Sequence, residues 1–298
     1  MNSFLSKHFA AALVLLAFTS RSYSQIAHGT VQEGITIDSK ALGKPVRYTV
    51  YLPPDYESSH RLYPVVYLLH GYTDNDTGWL QFGEANRLAD EGIASGAIPP
   101  MILVMPDGGV SFYINNFDNS LRFEDFFTKE FIPFIEGKYR IRAEKQYRGI
   151  AGLSMGGYGT LVYALRHPDL FAACAAFSSA VLSDEEVLAE SDDEWNRIFG
   201  PVFGTGLKGK DRITDHLKSY SPLHLVREAG ADKVKSVRFY IDCGDDDSLG
   251  KGNALLHILL SDLKIPHEFR VRDGGHSWGY WRTGLPEGLK FIGTSFRR

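Results

Sequence analysis

Gly152-Leu153-Ser154-Met155-Gly156, followed directly by Gly157, is the segment with the clearest capacity for chemistry. An apolar run enters it and a helical pattern leaves it. A serine on such a strained strand-to-helix turn exposes its hydroxyl at the C-terminal end of a sheet, and the flanking glycines let neighbouring backbones pass closely. Free N–H groups at the start of the following helix point at the same spot, so the Met155 amide is a candidate donor to a developing oxyanion. Serine is a weak nucleophile without an adjacent base. The expected base is a histidine oriented by a carboxylate, in the chain order serine, acid, histidine.

Ten histidines are present, and four of them precede the serine. His167 sits in a His-Pro turn, His216 and His224 in a polar stretch, His257 in an amphipathic run, and His267 at the start of a strand. His276, in Gly274-Gly275-His276-Ser277-Trp278, follows the last strand pattern on the edge expected for Ser154. It is the candidate base. The acid should leave the preceding strand, Val237 to Cys243, which runs into Gly244-Asp245-Asp246-Asp247. Any of the three can serve, and Asp242 is a fourth acid nearby. Physical reasoning alone does not choose among adjacent acids on one turn; those left over are expected as solvated turn or cap residues. Their spacing does not match a D-x-D-x-D-G calcium loop. The second oxyanion donor should come from the loop after the first central strand, His70-Gly71-Tyr72, with the Tyr72 amide preferred.

These residues need a scaffold that brings strand ends together. Thr30–Ser39 and Lys44–Leu52 read as strands, with Gly43 turning a hairpin between them. Tyr63–Leu69, Met101–Met105, Gln146–Ala151, Ala172–Phe177, Val237–Cys243 and His267–Arg272 read as further strands. Ala85–Ser95, Phe123–Lys138 with a kink at Pro133, Met155–Arg166, Leu249–Leu263 and Leu285–Phe296 carry helical patterns. Alternating strands and helices predict an α/β fold with a mostly parallel sheet, helices on both faces and an antiparallel N-terminal edge. The polar, glycine-broken stretch 183–231 interrupts the alternation. We read it as a cap-like insertion in a single domain over 25–298, covering one end of the sheet.

At the N-terminus Lys7 and His8 precede the apolar run Phe9–Phe18, and small residues at Ser22 and Ser24 precede Gln25. This is the layout of a secretory signal peptide, here residues 1–24, implying a secreted or periplasmic protein. The run is too short to span a bilayer, which needs about 20 residues. No stable membrane insertion is expected after cleavage. Cys174 and Cys243, in apolar strand-like runs, are expected as buried free thiols. Lys plus Arg is 32 against 36 Asp plus Glu. Without a basic excess, nucleic acid is not an expected partner. Two cysteines cannot build a four-thiolate metal site.

Four segments together resemble the esterase D-like group of α/β-hydrolases: Leu68-Leu69-His70-Gly71-Tyr72, Gly152 to Gly159, Cys243 to Leu249 and Gly275 to Trp281. That group includes carbohydrate esterase family one (feruloyl and acetylxylan esterases), tributyrin-type esterases, S-formylglutathione hydrolase and the mycolyltransferases. The resemblance covers roughly Tyr48 to Ile292. It implies an α/β-hydrolase fold and selects Asp247 as the acid, because the acid in this group sits third after the glycine. It also implies oxyanion donors at Tyr72 and Met155, and neither metal nor cofactor.

The expected function is a secreted serine carboxylesterase acting on short-acyl, acetyl or feruloyl esters, small or polysaccharide-linked, through an acyl-enzyme on Ser154. Trp195, Phe199, Trp278 and Trp281 are candidate substrate contacts, as an acyl pocket or a sugar platform, although large aromatics serve cores equally well. The competing readings are an acyltransferase of the mycolyltransferase-like type and a non-catalytic binding protein on the same fold.

Overall fold

Strands that are apolar at nearly every position must be covered on both faces, and five-residue strands of this kind form the centre of the molecule. The computed structural model describes residues 26–297; the expected signal peptide lies outside them. β1 (Thr30–Ser39), β2 (Lys44–Leu52), β3 (Val65–Leu69), β4 (Ile102–Pro106), β5 (Arg148–Leu153), β6 (Ala173–Phe177), β7 (Arg238–Gly244) and β8 (His267–Arg272) build one sheet. Its order is β1-β2-β4-β3-β5-β6-β7-β8. β1 and β2 form the antiparallel hairpin, with Gly43 at φ +64° in its turn, and β2 pairs antiparallel with β4. From β4 to β8 all neighbours run parallel. This is the α/β arrangement expected from the alternation.

Period-two geometry divides β3 between two layers. Val65, Tyr67 and Leu69 face a core that includes Phe127 and Phe131, with the Tyr67 and Phe127 rings 5.5 Å apart. Val66 and Leu68 face the opposite core, with Trp79, Leu285 and Ile292. The order reverses at β3, which has β4 on one side and β5 on the other. Such a switch point opens a crevice beyond the strand C-termini, where both Gly71 and Ser154 emerge.

Two helices differ from expectation. The closing helix begins at Trp278, not Leu285, and continues through Pro286 to Phe296. Ser277 caps it by accepting the Tyr280 N–H. Leu285 and Leu289 are fully buried on either side of the proline, so packing holds the helix across the missing N–H. The Phe123–Lys138 pattern forms three consecutive helical stretches, Phe123–Asp125, Phe126–Phe131 and Ile132–Lys138. The middle one is a π-type widening, which accommodates Pro133 without a sharp break.

Between β6 and β7 the chain forms short helices, including Asp184–Ala189, Gly200–Phe203, Asp215–Tyr220 and Pro222–Glu228. Their apolar side chains, Trp195, Val202, Phe203, Leu217 and Val226 among them, join the main core. Buried Glu124 ties this segment to the body. It accepts from Arg166 Nε (2.7 Å), His167 Nε2 (2.7 Å) and Tyr220 Oη (2.6 Å). Burial alone would raise its pKa, but these hydrogen bonds hold it down at about 2. An unfolded glutamate binds its proton near 4.5. The site's stabilisation is therefore full above that value and is lost as the pH falls toward 2. Glu124→Gln should lower stability at pH 7 by about 3 kcal/mol, and the gap to wild type should close as the pH falls toward 2. Urea melts across that range measure it.

Cys174 and Cys243 are buried thiols with no disulfide. Cys174 pairs across strands with Phe239, four residues before Cys243. That offset is about 13 Å along the strand, beyond the roughly 7 Å Cα limit for a disulfide. Burial pushes the Cys243 thiol up to about 12. Among the described residues no helix is long and apolar enough to cross a membrane.

Candidate active site

Only Ser154 separates the end of β5 from the helix Met155–Arg166. Its backbone lies at φ +54°, ψ −117°, a strained conformation for a non-glycine residue. Three hydrogen bonds hold it there: Ser154 N–H donates to the Phe177 carbonyl (2.9 Å), and its own carbonyl accepts from Tyr158 (2.9 Å) and Ala180 (3.1 Å). The flanking glycines are required by close approach. A Cβ on Gly152 would lie 2.3 Å from the Gly156 carbonyl oxygen, and one on Gly156 would lie 2.3 Å from that of Leu69. Any side chain at either position would push strand and helix apart.

β8 delivers His276 immediately before the Ser277 cap of the closing helix. Ser154 Oγ lies 2.9 Å from His276 Nε2, and His276 Nδ1 lies 3.0 and 3.1 Å from the two Asp247 carboxylate oxygens. The imidazole is partly open to solvent, whereas the Asp247 side chain is fully covered. Burial by itself would raise the Asp247 pKa. Hydrogen bonds from His276, the Leu249 amide and Ser178 outweigh it and keep the carboxyl below its ordinary value. With Asp247 accepting at Nδ1, Nε2 is left free to take the serine proton.

The neighbouring acids point elsewhere. Asp245 is exposed and accepts the Gly274 N–H, and Asp246 is exposed. Asp242 is buried against Arg272, Tyr240 and Tyr280, where it joins β7 to β8 and the closing helix. Asp245, Asp246 and Asp273 bring carboxylate oxygens within 4.8 Å of one another. All three are exposed, and acids gather on such turns without a metal.

Gly71 packs against the nucleophile turn. A Cβ there would lie 2.7 Å from Leu153 Cδ1 and 3.6 Å from Ser154 Cβ. Among the described residues neither the Tyr72 nor the Met155 amide has a protein acceptor. Buried His70 orients the first of them. Its Nε2 accepts the Gly108 N–H (2.8 Å), so the ring proton is on Nδ1, which donates to the Gly71 carbonyl (2.8 Å). In a planar trans peptide the carbonyl and the next N–H point in opposite directions. Anchoring the Gly71 carbonyl therefore aims the Tyr72 N–H away from His70.

The four candidate aromatic contacts fall into two groups. Trp195 and half-buried Phe199 line a narrow apolar pocket, together with Phe112, Tyr158, Ala180 and Phe203. Ala180 and Tyr158 in its wall donate their amides to the Ser154 carbonyl. Trp195 also has a packing role, donating Nε1–H to the Gly204 carbonyl. Trp281 is buried and stands edge-on to His276, with ring centroids 4.8 Å apart. Trp278 packs on Trp79 and Trp281 and tilts toward exposed Phe82. Phe112, whose ring lies 6.0 Å from that of Tyr72, carried no usable sequence signal. It stands in an irregular loop at φ +50°, and only folding brings it to the pocket. A separate surface cleft, lined by Lys44, Arg47, Asp107 and Val202, contains none of Ser154, Asp247 and His276.

The Esterase family model matches residues 39–292. An endo-1,4-β-xylanase/feruloyl esterase of Xylanibacter ruminicola is 36% identical over 170 residues, covering 54% of this chain and 23% of that protein. An esterase of Mycobacterium tuberculosis is 30% identical over 254 residues, covering 80% of this chain and 54% of its own length. The chain thus spans between about a quarter and about half of these curated relatives. A solved structure named as a ferulic acid esterase is 34% identical and superposes with a TM-score of 0.78, covering 90% of this chain and 99% of that one. With its match over most of its length, its sheet order and its nucleophile turn, the chain belongs to the Esterase family and carries the α/β-hydrolase fold.

Proposed function

We propose that this protein is an exported carboxylesterase that cleaves aromatic acyl esters of the feruloyl type through an acyl-enzyme on Ser154. The observation that carries the reading is the single imidazole of His276, bonded to Ser154 on one nitrogen and to buried Asp247 on the other. In this mechanism His276 takes the Ser154 proton as Oγ attacks the ester carbonyl. The Tyr72 and Met155 amides hold the oxyanion, each worth about 3–4 kcal/mol. His276 then protonates the leaving alcohol, and water resolves the acyl-enzyme by the reverse sequence. Asp247 stays ionised and stabilises the imidazolium.

The aromatic acyl preference is supported by the apolar pocket of Phe112, Trp195, Phe199 and Phe203, whose wall residues Tyr158 and Ala180 bond the Ser154 backbone, and by likeness to a protein named as a ferulic acid esterase. Export is supported by the charged, apolar and small-residue layout of residues 1–24. Residues 25–298 act as one hydrolase domain in this reading, with 183–231 as the cap that walls the pocket. Hydrolysis of matched acetyl, butyryl and feruloyl esters tests it. The feruloyl ester should have the highest kcat/KM, and Phe199→Ala should lower that value about tenfold while changing acetyl hydrolysis little. Preference for the acetyl ester, with equal losses in the variant, would replace the aromatic reading with a general short-chain esterase.

A further inference from the structure

Ser178 is the first residue after β6, fully buried, with φ +44°. A left-handed backbone at a non-glycine residue costs on the order of 1 kcal/mol or more, and glycine would remove that strain. A side chain held there invites the question of what it contacts. The Trp281 indole N–H donates to Ser178 Oγ at 2.9 Å. Indole nitrogen only donates, so the serine oxygen is the acceptor in this pair. Trp281 in turn stands perpendicular to the His276 ring, at 89° and 4.8 Å. The backbone is anchored as well, Ser178 N–H donating to the Asp242 carbonyl at 2.7 Å.

One buried hydroxyl thus holds the indole that is packed against the His276 ring. We propose that Ser178 is a positioning residue of this site, holding Trp281 as the wall that sets the imidazole plane. Ser178 touches no reacting atom; it acts through the indole. The inference rests on the reading of Ser154, Asp247 and His276 as the catalytic set.

The test is Ser178→Gly, which relieves the backbone strain and deletes the CH2OH that accepts from Trp281. Its Tm should stay near that of wild type, the strain relief offsetting the unpaired indole N–H. Its kcat for p-nitrophenyl acetate should fall about ten- to hundredfold, as expected when the base is displaced from its reacting geometry, with KM unchanged. The downfield proton resonance of the His276 N–H bonded to Asp247 should shift. Trp281→Phe, which keeps a ring but removes the donor, should shift the same resonance and lower kcat by a smaller factor. Wild-type kcat and an unshifted proton in Ser178→Gly, with Ser154→Ala inactive in parallel, would overturn the role of Ser178 alone. A fall in Tm without the kcat effect would reduce it to a structural residue and equally overturn the proposal. Activity retained in Ser154→Ala would instead remove the catalytic reading beneath it.

Discussion

Ser154→Ala is expected to lower kcat/KM for p-nitrophenyl acetate by about 10⁴–10⁶-fold without loss of fold. Among the described residues no other hydroxyl is bonded to His276 Nε2, so the acyl-enzyme route closes when this one is removed. The residual rate would come from the oxyanion donors and substrate binding alone. Stability should change little. Alanine inherits the same φ of +54°, and the three backbone hydrogen bonds that hold the turn involve no side chain. A serine-directed fluorophosphonate gives the same answer by another route, labelling wild type at Ser154 and leaving the variant unlabelled. A variant that keeps most of its activity, or labelling at another serine, would refute the assignment of the nucleophile.

The second large effect should separate three adjacent aspartates. Asp247→Asn should reduce kcat by about 10⁴-fold, because the amide can present an N–H to His276 and favour the wrong tautomer. Asp245→Asn and Asp246→Asn should stay within about threefold of wild type, as exposed substitutions do. The contrast follows from burial and aim. Asp247 Oδ1 accepts the Leu249 amide at 2.9 Å, which turns the carboxylate inward to His276. Asp245 spends its oxygen on the Gly274 amide at the surface. The hydrogen bonds that depress the Asp247 pKa keep it a carboxylate at neutral pH, so asparagine removes a real charge. Asp242→Asn should act differently, lowering stability before catalysis, because it leaves Arg272 without its buried partner. Steady-state kinetics paired with thermal melts on the four variants distinguish the two kinds of loss. Equal loss in all three turn variants would sink the Asp247 assignment.

The strands were readable because each is a short apolar run closed by a turn signal, and their observed bounds differ from the sequence reading by a residue or two. Helix ends were harder. The closing helix was read as Leu285–Phe296 but begins at Trp278, burial of Leu285 and Leu289 carrying it across Pro286. The helical pattern around Pro133 was legible, but the π-type widening just before it depends on packing of Phe127 and Phe131 against Tyr67. The aromatic candidates show a sharper limit. Trp195 and Phe199 meet in one pocket, while Trp278 and Trp281 lie on the His276 side. Composition and spacing carry no distance between loops far apart in the chain.

The sequence by itself determined the strand–helix alternation, the turn that strains Ser154, and the histidine after the last strand. Each is written in contiguous residues whose backbone preferences and periodicity act locally. Which aspartate faces inward, that His70 fixes the Gly71 carbonyl, that Phe112 reaches the apolar pocket, and that Ser178 accepts from Trp281 were decided only by the tertiary structure. Those relations span strands that become neighbours only when β3, β5, β6 and β7 pair, and hydrogen bonds discriminate among side chains over tenths of an ångström that no local pattern encodes.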